Sequence, residues 1–475
     1  MEEYIVHEKR QQVLIIFSVV LSVFIFSVDF SMLNISLPTL SIYFHTGIGA
    51  VAFLPMAYML IVTSSLLGFG KIGDLAGYRR VFIGGLAVFM IASLLCSFAP
   101  SLRLLLMFRI IQAFGEAMMS PMGIAILTTF LPKEMRGLSL GLVALAQGLG
   151  FASGNIIGGY INSHFVWRGI FFVNIPIILL TILLSLKALP AKQRRSDDKS
   201  FDLPGALLIF AGMAGLVYGM NLLGKLKSSP SVIAASFMIA AIGLGLFFIR
   251  EKKVKYPILD LALFKNKNFS FSNLAAFMVV AVLMGGIFIT PFYLEILRRL
   301  SVMQVGTYLV IAPLTMLFVA PVAGRLSDSI GSRTMCAVGA TMEGVAFLIL
   351  SILTPVSHLS LVAIALVTLG FAAGIFMAPN NKLVMSHAPE DKQGVASGIY
   401  KISLSTGGVF GIALFPIVII RTLIAAMGTS NINMELTKHS PAMLQPGFRN
   451  MFISGVVMSA LAVIFSVLAK DATTK

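Results

Sequence analysis

Four polar side chains stand where an apolar chain has least reason to carry them. Arg109, Gln112 and Glu116 follow one another at i, i+3 and i+7, so a helix places all three on one face, with Ser120 a further turn along. Asp29 lies well inside an earlier apolar run. A carboxyl and a guanidinium sharing a low-dielectric helix face suit reversible protonation. Burial favours the neutral carboxyl and a neighbouring arginine favours the carboxylate, so a change in either could bind or release a proton. The structural alternative is a static Arg–Glu interaction, kept because neither group tolerates burial alone. For Asp29 it is a carboxyl hydrogen-bonded to a neighbouring helix or to Asn34.

These residues need rigid elements, and composition says which. Of 475 residues, 58% are hydrophobic and only 11% charged, against about 25% charged in ordinary soluble domains. Apolar runs close to the roughly 20 residues needed to cross a bilayer recur along the chain. They are read as spans over Val13–Leu37, Val51–Phe69, Val81–Phe98, Leu104–Leu127, Leu138–Tyr160, Ile170–Leu186, Gly205–Leu223 and Val232–Ile249, then Phe271–Leu294, Val305–Gly324, Met335–Leu353, Leu359–Val384, Val395–Ile420 and Met451–Leu468. The expected fold class is an all-helical membrane protein with about 14 spans. No cleavable signal peptide is expected, because the run after the polar Met1–Gln12 is too long and lacks a small-residue cleavage site.

The formal charge of +16 is a topology signal. Alternate loops carry about 24 and about 9 Lys and Arg, which places both termini in the cytoplasm of a cell-membrane protein. Anionic lipid headgroups are the implied partner and nucleic acid is not. The two cysteines, Cys96 and Cys336, and the six histidines show no ligand spacing, so no metal and no cofactor is expected. Neither a phosphate loop nor a soluble catalytic motif is present, and an enzyme is not expected.

A polar interruption, Gly70-Lys-Ile-Gly-Asp-Leu-Ala-Gly-Tyr-Arg-Arg80, returns as Gly324-Arg-Leu-Ser-Asp-Ser-Ile-Gly-Ser-Arg333. Gly70 matches Gly324, Asp74 matches Asp328, Gly77 matches Gly331 and Arg79 matches Arg333. Pro132–Gly137 likewise corresponds to Pro389–Gly394, and Gly141, Gly150 and Gly154 to Gly398, Gly407 and Gly411. An internal repeat of this kind marks a duplicated membrane unit. The expected division is 1–195 and 269–475 as two six-helix bundles, with two inserted helices in 196–268, a 6 + 2 + 6 arrangement.

Gly70–Arg80 resembles the cytoplasmic loop signature of the major facilitator superfamily. Asp29-Phe-Ser-Met-Leu-Asn34-Ile-Ser-Leu-Pro38 is similar to the first-helix motif of its fourteen-span drug:proton antiporter branch. Arg109-Ile-Ile-Gln112-Ala-Phe-Gly115 resembles the fourth-helix motif, and Trp167-Arg168 with Phe172-Val-Asn174-Ile-Pro176 the entry to helix six. The resemblance covers nearly the whole chain. It implies two halves rocking about a midplane cavity lined by spans 1, 4, 9 and 12. It further implies a coupling arginine at Arg109 and a cytoplasmic gate at Gly70, Asp74, Arg79, Asp328 and Arg333, latched in the outward-open state. The alternative for that gate is a tight turn with topogenic charges. Two departures stand out: Lys401, where drug-efflux relatives often carry an amide or acid, and Asn155, in place of the antiporter-motif proline after Gly154, which weakens the antiporter resemblance more than the fold. Glu116 occupies a position that in the family usually holds a small residue.

Lys401 falls within span 13, where an ammonium could counter Asp29 or Glu116, meet an anionic substrate, or snorkel to the surface. Asn34, Gln112, Asn380 and Asn381 are further cavity candidates. Glu343 is expected to be structural or lipid-facing, and Glu295 to form a gate or a solvated rim. The loop Met427–Arg449 could modify access. The functional expectation is proton-coupled export of amphipathic or cationic small molecules, with Asp29, Arg109 and Glu116 as the coupling residues, by a protein expected to be monomeric. The alternatives are an exporter or flippase of an endogenous anionic metabolite or lipid, anchored by Lys401, and a non-transporting membrane sensor.

Overall fold

A backbone that crosses hydrocarbon has to satisfy its own polar groups, so each apolar run becomes a helix. A computed structural model describes residues 5–190, 202–223, 229–254, 261–389, 392–427 and 441–471. In chain order the helices are α1 (Lys9–Tyr43), α2 (Ile48–Ala76), α3 (Tyr78–Ser97), α4 (Leu102–Phe130), α5 (Lys133–His164), α6 (Gly169–Phe172), α7 (Asn174–Ala188) and α8 (Leu203–Leu223). They continue with α9 (Pro230–Glu251), α10 (Lys267–Phe292), α11 (Val302–Leu309), α12 (Ile311–Ile330), α13 (Ser332–Ile352), α14 (Leu359–Ser386), α15 (Gln393–Met427) and α16 (Pro441–Leu468). Fourteen stretches are long and apolar enough to cross a membrane, α6 joining α7 and α11 joining α12 to make one each. The expected loop Met427–Arg449 falls largely outside the described residues, as do parts of the basic segments after α7 and α9.

The repeated polar segments are not loops throughout, as the sequence suggested. Helix α2 runs through Gly70 and Asp74 to Ala76, and α12 through Gly324 and Asp328 to Ile330. One residue makes each turn: Gly77 at φ 103°, ψ 131° and Gly331 at φ 91°, ψ 141°. Both angles lie where a side chain is strained, so a single glycine reverses the chain and the charged turns before it stay helical.

The duplication extends to packing. A Cβ on Gly150 or Gly154 of α5 would lie 2.7 Å from the Phe24 or Val28 carbonyl oxygen of α1. On α15, a Cβ on Gly407 or Gly411 would collide with the Phe277 or Ala281 carbonyl oxygen of α10. Small residues therefore bring α1 against α5 and α10 against α15 at backbone distance. Helices α8 and α9 form a hairpin that rests on α2 and α15. Asp202 accepts from the Gly205 amide (3.0 Å), capping α8, and pairs with Arg250 of α9 (2.8 Å).

The first and last described segments lie on one face. Val6 N–H donates to the Phe130 carbonyl at the end of α4, and Asp471 accepts from the Arg333 amide beside Gly331. On the opposite face one apolar core runs through both halves, joining Ile35, Leu54 and Trp167 to Ile289, Val305 and Leu366. Toward the terminal face this core divides. Ile15, Phe82 and Phe130 belong to one cluster, Phe269, Phe376 and Tyr400 to another. The buried core is thus shared by the two sets of helices at one end and divided between them at the other, a division we read as a cleft.

Candidate functional site

Helix α4 begins at Ser101, whose hydroxyl accepts from the Leu104 amide (3.3 Å). Its polar stripe turns into the first half of the molecule, toward α1, α2, α3 and α7, and not into the space between the halves. Arg109 Nη1 donates to Asp29 Oδ2 and to Gln112 Oε1, each at 2.6 Å. Asn174 Nδ2 (2.6 Å) and Gln112 Nε2 (3.2 Å) donate to Asp29 Oδ1, and Gln112 Nε2 also donates to Ser93 Oγ (2.8 Å). Asp29 thus has three side-chain donors from α4 and α7. Arg109 and Gln112 are fully buried and Asp29 is 2% exposed, so this is an ion pair in a dry interior.

The guanidinium lies 4.3 Å from the centroid of the Tyr58 ring, on α2. The Tyr58 hydroxyl donates to Glu116 Oε2. Glu116 is 6% exposed. One connected cluster therefore holds two carboxylates and one guanidinium. With both carboxylates ionised its net charge is −1, two negative groups against one positive, and a single proton brings it to zero. A group set of this kind can take up and release a proton inside the membrane.

Three members of this cluster were not singled out as site residues in the sequence. Tyr58 is an aromatic residue in an apolar run, where core packing is the ordinary role. Serines in membrane helices commonly bond back to their own helix, as Ser93 does to the Phe89 carbonyl (2.8 Å). Asn174 sits inside the quoted helix-six motif, and its only signal was an amide close to Pro176.

The other expected residues are placed as follows. Asn34 is buried and donates to the Phe30 carbonyl of its own helix (3.0 Å). Asn380 is buried and donates to the Ser272 carbonyl of α10 (3.2 Å). Gln112 and these two are buried, and the side-chain oxygens of Asn34 and Asn380 have no hydrogen-bond partner among the described residues. Asn381 and Lys401 are exposed. Lys401 precedes Gly408 by seven residues, two turns and about 10.5 Å along the same face of α15. Gly408 abuts Met59 of α2 and Met284 of α10, at the junction of the halves. Lys401 therefore faces the cleft where that junction opens. It counters neither acid, since Asp29 is held by Arg109 and Glu116 by Tyr58.

The gate residues are engaged within their own halves. Asp74 accepts from the Tyr78 hydroxyl (2.8 Å), and Arg79 reaches not Asp74 but the Leu186 carbonyl of α7 (2.8 Å). Asp328 pairs with Lys382 of α14, and the Arg333 amide meets Asp471. Glu343 is not lipid-facing; it is 1% exposed and accepts from Ser459 of α16 (3.1 Å). Glu295 lies in a π-helical turn, Tyr293–Leu297, after Pro291, with Oε2 buried. On the joined face, the Asn155 amide donates to the Leu309 carbonyl of α11 (3.3 Å), so the residue in place of the motif proline bridges the halves.

The profile of the Major Facilitator Superfamily matches residues 19–412. The chain belongs to this family of membrane transporters. It is 32% identical over 406 residues to the riboflavin transporter RibZ of Clostridioides difficile, covering 86% of this chain and 88% of that one. It is 26% identical over 408 residues to the multidrug transporter protein MdtP of Bacillus subtilis, covering 86% and 75%. Among solved structures it is similar to a bacterial homologue of the human lysosomal transporter Spinster, with TM-score 0.71, 17% identity and 97% of both chains covered.

Proposed function

We propose that this transporter exports amphipathic organic compounds, cations foremost, in exchange for protons by alternating access. The observation that carries this reading is the buried cluster in which Asp29 is locked to Arg109 while Glu116 is held by one neutral donor, Tyr58. Asp29 with Arg109 sets a fixed polar frame, and Glu116 is the group able to change charge. Related proteins named for multidrug and for riboflavin transport support organic cargo. The joined face and the opposite cleft support a rocking of 1–195 against 269–475, with the α8–α9 hairpin inserted between them in sequence. The Lys and Arg bias supports a cell-membrane location, with the termini and the cleft in the cytoplasm and lipid headgroups around them. In this state the gate at Gly70, Asp74, Arg79, Asp328 and Arg333 is unlatched, and the protein acts as a monomer.

A second reading is favoured by Lys401, a cleft-facing cation for which the structure records no ion pair: the cargo carries an anionic group that Lys401 meets. The test uses proteoliposomes with an internal pH dye, an imposed proton gradient and ethidium. Ethidium moving against its gradient with proton counterflow, lost in Asp29→Asn or Glu116→Gln, supports the first reading. Absence of both fluxes in folded protein refutes it. Transport of an organic anion abolished by Lys401→Ala then establishes the second.

A further inference from the structure

Among the described residues, Tyr58 is recorded in contact with both parts of the buried cluster. Arg109 and Glu116 lie seven residues apart on α4, two turns or about 10.5 Å of rise, beyond direct contact for a guanidinium already turned toward Asp29. Tyr58 enters from α2 and spans that gap. Its ring takes the guanidinium at 4.3 Å and its hydroxyl donates to Glu116. Arg109 Nε and Nη2 are buried and have no hydrogen-bond partner, so the guanidinium uses only Nη1 for polar contacts and relies on the aromatic face beside it. A planar cation with idle donors can be re-aimed, since its five N–H groups form a rigid fork.

We infer that Tyr58 is a positioning residue that ties the protonation of Glu116 to the orientation of Arg109 on Asp29. This rests on the proton-coupled reading above. The phenol O–H favours the ionised carboxylate, because it donates to the charge. When Glu116 takes a proton, the O–H loses its ionic acceptor and the ring is free to tilt. The guanidinium stacked on that ring then shifts against Asp29, Gln112 and Asn174. A side-chain event on α4 is thereby passed through α2 to α1 and α7. Helix α2 also meets α15 of the other half, at Met59 and Gly408. The titratable groups around Glu116 are Tyr58 of α2, Asp29 of α1 and Arg109 of its own helix, and the buried Cys96 thiol of α3 lies on the Asp29–Arg109 side of the cluster. Helix α5 brings none at this depth, its ionisable residues lying in its first turn and at its far end, and Lys401 stands across the cleft.

The test compares wild type, Tyr58→Phe, Glu116→Gln and the double variant in proteoliposomes, reading proton-driven ethidium flux from pH 5 to pH 9. Tyr58→Phe keeps the ring and removes only the O–H. Its pH midpoint is expected to move up by about 1 to 2 units, the worth of one hydrogen bond to a charged group. Glu116→Gln is expected to abolish the pH dependence, and the double variant to match it. Infrared difference spectra of the carboxyl C=O band, assigned by its loss in Glu116→Gln, give the same midpoint without transport. They cover a variant that is folded but slow. If Glu116→Gln abolishes coupling while Tyr58→Phe keeps the wild-type midpoint and loses only amplitude, Tyr58 is merely structural and the inference falls alone. If the wild type shows no proton flux and no pH-dependent carboxyl band, the coupling reading falls with it.

Discussion

Replacing Asp29 by Asn keeps shape and hydrogen-bonding capacity but leaves the Arg109 cation, fully buried, without its counter-charge. Arginine cannot shed the problem by deprotonating, so the charge remains. Removing one partner of a buried pair typically costs about 3–5 kcal/mol, most of it the stranded charge. The contact here is 2.6 Å and both side chains are at most 2% exposed, so the upper part of that range applies. Arg109→Met is expected to cost less, because Asn174 and Gln112 still donate to the Asp29 carboxylate. In the double variant no unpaired charge remains, and most of the loss is recovered. The assay is a double-mutant cycle on SDS-driven unfolding of the purified protein in mixed micelles. The expected coupling energy is about 3 kcal/mol or more. Additivity within about 0.5 kcal/mol, the range for independent sites, would falsify the claim that these residues form one ion pair.

Three further outcomes follow from other parts of the structure. A Cβ on Gly159 of α5 would lie 3.4 Å from the Met303 Cα, so Gly159→Cys/Met303→Cys is expected to crosslink readily on the joined face and to arrest transport until reduced; full turnover while crosslinked would mean that this face never opens. Gly77→Ala places a side chain at φ 103° and is expected to cost about 1–2 kcal/mol, whereas Gly70→Ala, helical and with open space around it, is expected to be neutral or to stabilise by up to about 1 kcal/mol in the same unfolding assay. Lys401→Ala should spare ethidium efflux and cut transport of any organic anion at least tenfold, measured by competing labelled cargo; equal loss of both would assign Lys401 to the gate instead.

The spans were legible because hydropathy and length act locally, and their number agrees with the fourteen membrane-length stretches among the described residues. Helix ends were less so. Amphipathic turns such as Gly70–Ala76 leave the apolar run while remaining helical, and composition cannot separate a solvated helix end from a loop. Asp29, Arg109, Gln112 and Glu116 were legible as ionisable or amide groups in apolar runs. Their partners were not, because a hydrogen bond between α1 and α7, or between α2 and α4, depends on how helices distant in sequence are rotated against each other. For the same reason Asn34 and Asn380, read as cavity candidates, turn inward to backbone carbonyls.

The two halves share one packing plan and differ in chemistry. Gly150 and Gly154 of α5, packed against α1, are matched by Gly407 and Gly411 of α15, packed against α10, so the frame of each half is the same device used twice. The buried ion pair, the second carboxylate and their amide donors all lie in the first half. The second half keeps Glu343 against Ser459 and Glu295 in the π-helical turn after Pro291, neither in an ion pair among the described residues. In the proposed rocking of the two halves, a charge cluster confined to one of them biases the balance between conformations. One proton changes the cluster between −1 and zero, and both α2, which carries Tyr58, and α1, which carries Asp29, meet the second half, at α15 and α10. The function proposed above therefore places energy coupling in the first half and cargo recognition, through Lys401, in the second.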